Sequence, residues 1–174
     1  MNYLTLEHVT KRYGEKVLFE DLTLHISKGD KVALVAKNGS GKSTLLRVIA
    51  GVEGVEGEHA KVLLHRDVRT GFLDQDPDFF GADTILDAIF DHDSPMASAV
   101  RDYETALLHP DQAERLQSAL TRMDDLKAWD FEATIKEVLF KLDIQDLEQR
   151  VSTLSGGQKK RLALARLLIE EPDF

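Results

Sequence analysis

Ala36, Lys37, Asn38, Gly39, Ser40, Gly41, Lys42, Ser43 and Thr44 form the stretch whose residue types and spacing point to chemistry. Glycines let backbone N–H groups turn inward and approach oxyanions with no Cβ in the way. A helix opening at Lys42 would add its unpaired amides and the positive end of its dipole. Lys42 can then reach the β- and γ-phosphates of a nucleotide as a point charge, and the Ser43 hydroxyl can ligate Mg²⁺. The spacing is that of the phosphate loop G-x-x-x-x-G-K-[ST], with Ala36 standing at the first glycine. Alanine there costs little where the residue keeps a negative φ, and more where it does not.

Such a loop needs a strand before it and a helix after it. Residues 31–35, Lys-Val-Ala-Leu-Val, are short and almost wholly apolar, the pattern expected of a strand buried on both faces. Residues 42–50 read as the helix, with Gly51 placed to end it. Upstream, Leu22, Leu24 and Ile26 alternate strictly, and residues 3–9 alternate in part, so both read as strands. Residues 62–64 and 70–73 look like further short strands. From about 84 to 149 the chain turns helical in composition: Asp83 reads as the cap for 84–90, Ser94-Pro95 as a helix start, 109–111 as a break, and Asp130 as the cap for 131–142.

A second glycine motif opens the last helix. Leu154, Ser155, Gly156, Gly157 and Gln158 precede a basic, amphipathic run. Ser155 and Gln158 have the spacing of a capping box. That does not account for two glycines in a first helical turn, each costing about 1 kcal/mol against alanine. Bare backbone at a helix N-terminus is what a phosphate would use.

Together with the phosphate loop, this pentapeptide resembles the signature of ATP-binding cassette (ABC) ATPases, and the resemblance spans essentially the whole chain. It implies an α/β fold: a mixed sheet around the phosphate-loop helix, an antiparallel β part and a helical subdomain. The expected division is a nucleotide-binding core at 1–80, a helical subdomain at 81–152, and the signature motif with its helix at 153–174. Tyr13 matches the aromatic that stacks on adenine in this family; alone it is a strand-end aromatic. Gln75 matches the glutamine that reaches Mg²⁺ and the attacking water. The long segment from Gln75 to Leu154, with Ala128, Trp129 and Asp130, looks like the helical subdomain of ABC-F proteins, tandem-cassette ATPases most of which act on the ribosome, and most of all like the Uup-like branch. ATP and Mg²⁺ are the implied cofactors, and a second cassette the implied partner, its signature motif closing over the nucleotide held here.

In the family, the signature helix leads to a buried strand carrying the Mg²⁺-associated Asp and the catalytic Glu, then to a switch histidine. Here Glu170, Glu171, Pro172, Asp173 and Phe174 stand where that strand should begin, and none of the six histidines follows the signature. The expectation is the N-terminal part of a longer protein. The 174 residues alone would bind ATP-Mg, turn it over very slowly or not at all, and expose sheet edges that favour self-association.

Composition narrows the alternatives. Of a formal net charge of −9, residues 1–50 carry +3 and residues 51–150 carry −13. This disfavours a general nucleic-acid binder, which needs clustered Lys and Arg. There is no cysteine, no apolar run near the roughly 18 residues that cross a bilayer, and no signal-peptide layout. A cytoplasmic ATP-binding part of an ABC-F ATPase is the leading expectation. The alternatives are the nucleotide-binding subunit of a membrane transporter and a non-catalytic nucleotide-binding module.

Overall fold

The computed structural model describes residues 1–90 and 94–174. The chain divides into two compact units, Met1–Phe72 with Pro172–Phe174, and Leu73–Glu171.

In the first unit, β1 (Asn2–Tyr13) and β2 (Lys16–Ser27) form an antiparallel hairpin. Gly14 turns it at φ +58°, a conformation glycine adopts without a Cβ penalty. β3 (Lys61–Leu64) pairs antiparallel with the other side of β1, giving the order β2-β1-β3. Leu4 and Leu6 share the core face of β1, as period-2 geometry requires. Val9 has the opposite parity yet is equally buried. The register shift between Leu6 and Val9 absorbs the odd residue. His8 sits in it at φ +53°, its Nδ1 2.6 Å from Oδ1 of Asp21, itself at φ +50°. Leu45 and Val48 of α1 (Lys42–Ile49) complete this core with Ile26. Pro172–Phe174 joins the unit through Arg69: Asp173 and Phe174 donate their amides to its carbonyl, and the Asp173 carboxylate accepts from its amide and its Nε.

Two sequence expectations fail here. Residues 31–35 form no regular strand, and Val35 is 90% exposed. An apolar run marks a segment suited to cover, but a strand exists only through its ladder. Among the described residues, ladders join β1, β2 and β3 alone. Val32 and Leu34 instead line a cavity of about 400 Å³ with Leu24, Leu46 and Phe174. Residues 70–73 are not a strand either; the Gly71 amide donates to the Phe174 carbonyl at 2.8 Å without extending a ladder. The helix expected at 42–50 is present, with Ala50 as its C-cap and Gly51 just beyond at φ +73°.

The second unit is helical: α2 (Ile85–Ile89), α3 (Pro95–Leu108), α4 (Ala113–Leu126), α5 (Trp129–Lys141), a 3-10 turn at Val151–Thr153, and α6 (Gly156–Ile169). Ser94 caps α3 with Pro95 in its first turn, as expected. The other two caps differ. Thr84 rather than Asp83 caps α2, because Thr84 Oγ1 accepts from the Asp87 amide while the Asp87 carboxylate accepts from the Thr84 amide. α5 starts two residues earlier than an Asp130 cap would allow, after Ala128. Asp130 lies in its first turn, where its charge still suits the dipole. Trp129 packs edge-on against Tyr103 with ring centroids 5.3 Å apart, and its Nε1 donates to Asp124. The core gathers Ile89, Val100, Met123, Ile135 and Leu162 from five helices.

Ile89 is fully buried, so Ile89→Ala should cost about 2–5 kcal/mol in urea unfolding; a loss under about 1 kcal/mol would contradict this packing. Asp87 supplies a pH test. Burial pushes its carboxyl up, but the Thr84 hydrogen bonds and Arg101 outweigh this and hold it below the usual 3.8. A depressed folded value contributes stability that is complete above pH 3.8 and lost as pH falls through the lower folded value. The stability gap between wild type and Asp87→Asn should therefore narrow below pH 3.8, as followed by thermal melts.

Candidate phosphate-binding site and signature helix

The phosphate-loop residues all lie in the first unit. The loop turns at Gly39, φ +75°, and Gly41, φ +97°, the latter being the N-cap of α1. Gly41 is doubly constrained. Its φ disfavours any L side chain, and an added Cβ would stand 3.0 Å from the Leu18 Cβ of β2. Ala36, the departure from the motif, is not among the residues at positive φ, so its methyl group costs the loop no backbone strain. No side chain caps the N-terminus of α1 and its first turn holds no acid, which leaves that end without a built-in anion.

Lys42 folds back over the loop. Its Nζ donates to the carbonyls of Ala36 at 2.7 Å and Lys37 at 2.9 Å. The ammonium is thus held among the turned peptides rather than released to solvent. Ser40 Oγ is buried with no hydrogen-bond partner, and Lys16 Nζ donates to the Gly39 carbonyl at 3.1 Å. Ser43 is exposed on the first turn of α1, so its hydroxyl is accessible as a hard oxygen ligand of the kind Mg²⁺ takes beside phosphate oxygens. Thr44 follows it, half-buried. No cluster of three or more His, Asp or Glu suited to a metal occurs among the described residues. Beside Ser43, oxygens of a bound nucleotide and water would supply the rest of a magnesium ion's shell.

Tyr13, at the end of β1, is 53% exposed. Its hydroxyl donates to Glu53 Oε2 at 2.6 Å. That bond is the main reason its phenol is pushed above its usual range, with the Thr44 hydroxyl pulling the other way. The Lys11 ammonium lies over its ring, 5.5 Å from the centroid. Sequence reasoning missed Lys11, Lys16 and Glu53. A lysine two residues before the aromatic was the only local hint, and Glu53, 40 positions away, offered none.

The remaining predicted residues lie in the second unit. Gln75 is exposed, and its amide donates to Asp74 Oδ1 at 2.6 Å. Asp76 lies 3.8 Å from Lys160 of α6. Leu154 is buried, and Ser155 caps α6 in a capping box with Gln158, as expected: the Gln158 amide donates to Ser155 Oγ, and the Ser155 amide donates to Gln158 Oε1 at 2.9 Å. Gly156 and Gly157 have neither a positive φ nor any atom that a Cβ would meet.

A glycine-turned cradle ahead of a helix that begins Lys-Ser defines the phosphate-loop class of nucleotide-binding proteins. Within that class, the family model described as "ABC transporter" matches residues 19–174, and the chain belongs to that family. It is 39% identical over its full length to the ABC transporter ATP-binding protein YfmR of Bacillus subtilis (strain 168), of which it covers 28%. It is 30% identical over 98% of its length to the energy-dependent translational throttle protein EttA of Mycobacterium tuberculosis (strain CDC 1551 / Oshkosh), covering 31% of it. Against the ATP-binding protein Uup of Haemophilus influenzae the identity is 30% over 99% of the chain and 27% of the relative. The chain thus spans about three-tenths of these relatives. A solved ABC transporter of metal-chelate type in an inward-facing conformation shares the fold, with a TM-score of 0.54 and 22% identity over 98% of this chain and 56% of that one. No described helix is long and apolar enough to cross a membrane.

The doubly constrained glycine gives a direct test. Gly41→Ala should destabilise the first unit by about 1–3 kcal/mol and abolish tripolyphosphate binding in isothermal titration. Unchanged stability and binding would show that the loop does not depend on this turn.

Proposed function

We propose that the chain binds Mg-ATP, with the phosphates on residues 36–44 and the base on Tyr13. Its signature motif, residues 154–158, is offered to the nucleotide of a second cassette. The observation that carries this reading is the Lys42 ammonium gathered at two loop carbonyls beside an uncapped helix end. Phosphate oxygens are stronger partners for an ammonium than neutral carbonyls, and the loop and helix amides supply the remaining donors. Mg²⁺, when bound, neutralises charge on the β- and γ-phosphates; Ser43 is assigned to it. Gly156 and Gly157 support the second half of the reading, because nothing in the chain's own fold requires glycine at either position.

Neither motif completes a site alone, so ATP binding drives two cassettes together and hydrolysis lets them part. In the intact protein this cycle makes an ATPase, and we assign its work to translation, as an ABC-F protein in the cytoplasm. EttA, one of the relatives, is described as a translational throttle protein. The second reading, the ATP-binding subunit of a membrane transporter, is favoured by the description of YfmR as an ABC transporter ATP-binding protein.

Lys42→Ala should lower affinity for a fluorescent ATP analogue by at least about 10-fold, the loss of a charge-assisted contact. Gly157→Asp should leave that affinity within about 2-fold while abolishing ATP-dependent association of cassettes in analytical ultracentrifugation. Equal ATP affinity in wild type and Lys42→Ala would overturn the assignment of the loop. In the intact protein, ATP-dependent co-sedimentation with ribosomes supports the translation role, and co-purification with a membrane permease in its place contradicts it.

A further inference from the structure

We infer that Glu53 is a positioning residue for the nucleotide base, locking the Tyr13 ring in place while Lys11 covers one of its faces. The inference rests on the reading of Tyr13 as the base platform and adds what makes it a platform. An exposed tyrosine at a strand end turns freely about χ1 and χ2, and a base stacking on it would have to pay for that freedom. Here the hydroxyl is pinned at 2.6 Å by Glu53 Oε2. Glu53 is itself held, with Lys11 Nζ 3.6 Å from the same oxygen and Arg47 of α1 3.9 Å from the other. Lys11 donates to the Gly54 carbonyl at 2.8 Å, which fixes its ammonium above the ring. Side-chain exposures of only 14% for Lys11 and 20% for Glu53 show that this is a packed bracket rather than a solvated ion pair.

The consequence is a ring with a cation over one face in a residue still 53% exposed, so the opposite face is the one assigned to a base. A purine then stacks on that face, and the ammonium behind it strengthens the ring's interaction as a cation–π partner. Because Glu53 follows α1 and Arg47 lies on it, the bracket ties the base platform to the helix whose N-terminus faces the phosphates. The distance between the base and phosphate positions is thereby set before any nucleotide arrives.

The test uses the full chain, with ATP and inorganic tripolyphosphate as paired probes in isothermal titration. Tripolyphosphate needs the loop but not the ring. Glu53→Ala and Tyr13→Phe should each weaken ATP by about 3- to 10-fold, the loss of one hydrogen bond, and leave tripolyphosphate unchanged. The double variant should be no weaker than either single one, because both break the same bond. Glu53→Gln, which keeps an acceptor oxygen, should restore ATP affinity to within about 2-fold of wild type. Wild-type ATP affinity in Glu53→Ala, equal losses for ATP and tripolyphosphate, or additive losses in the double variant would each overturn the inference while leaving the phosphate-loop reading intact. A wild-type chain that binds neither probe would overturn that reading and the inference with it.

Discussion

An ammonium group kept close to a protein backbone must have oxygen partners, and Lys42 finds them in the carbonyls of Ala36 and Lys37. Much of the first unit can be traced from that requirement. Just after those carbonyls the chain turns at Gly39 and Gly41, both at positive φ. Gly41 can hold that conformation against β2 only without a side chain, since Leu18 occupies the space a Cβ would take. Leu45 and Val48, one and two turns on, bury α1 against the sheet and so fix the axis along which its free amides point. Sheet, turn, helix and lysine therefore form one chain of constraint.

The two glycine motifs follow opposite logic. In the phosphate loop, Gly39 and Gly41 are required by the conformation of the chain itself. At the start of α6, Gly156 and Gly157 are not: their dihedrals suit any residue, and a methyl group would meet open space. Glycine in a helical first turn weakens the helix, and the capping box of Ser155 and Gln158, with the burial of Leu162 and Ala165, offsets this locally. A bare helix end that the fold does not need is best understood as a surface kept clear for a group approaching from outside. In the function proposed above, the first motif is a cradle for a ligand of its own and the second a donor to a ligand held elsewhere.

Sequence alone made many local features legible through short-range rules. The loop, the helix after it, the hairpin strands, the Ser94 cap and the Ser155–Gln158 box all depend on residues within a few positions of one another. Features set by distant partners were not legible. Residues 31–35 have the composition of a central strand, but strandedness belongs to the ladder, and no described strand pairs with them. One local rule was passed over: Thr84 and Asp87, at the same spacing as Ser155 and Gln158, satisfy each other's amides and make Thr84 rather than Asp83 the cap of α2. The bracket of Lys11 and Glu53 around Tyr13 joins a strand to a loop 40 residues away, and no periodicity encodes such a meeting. The phenol of Tyr13 is pushed upward by that carboxylate, so it stays a hydrogen-bond donor throughout the neutral range.

The central claim is that the peptide groups around Gly39 and Gly41, with the Lys42 ammonium, receive the phosphates of a nucleotide. Backbone amide NMR during a titration with Mg-ATP addresses it most directly, because it observes each donor separately. Saturable shifts concentrated on the amides of residues 38–44 and on the Lys42 side chain are the predicted result. Saturable binding that leaves those signals in place would contradict the account.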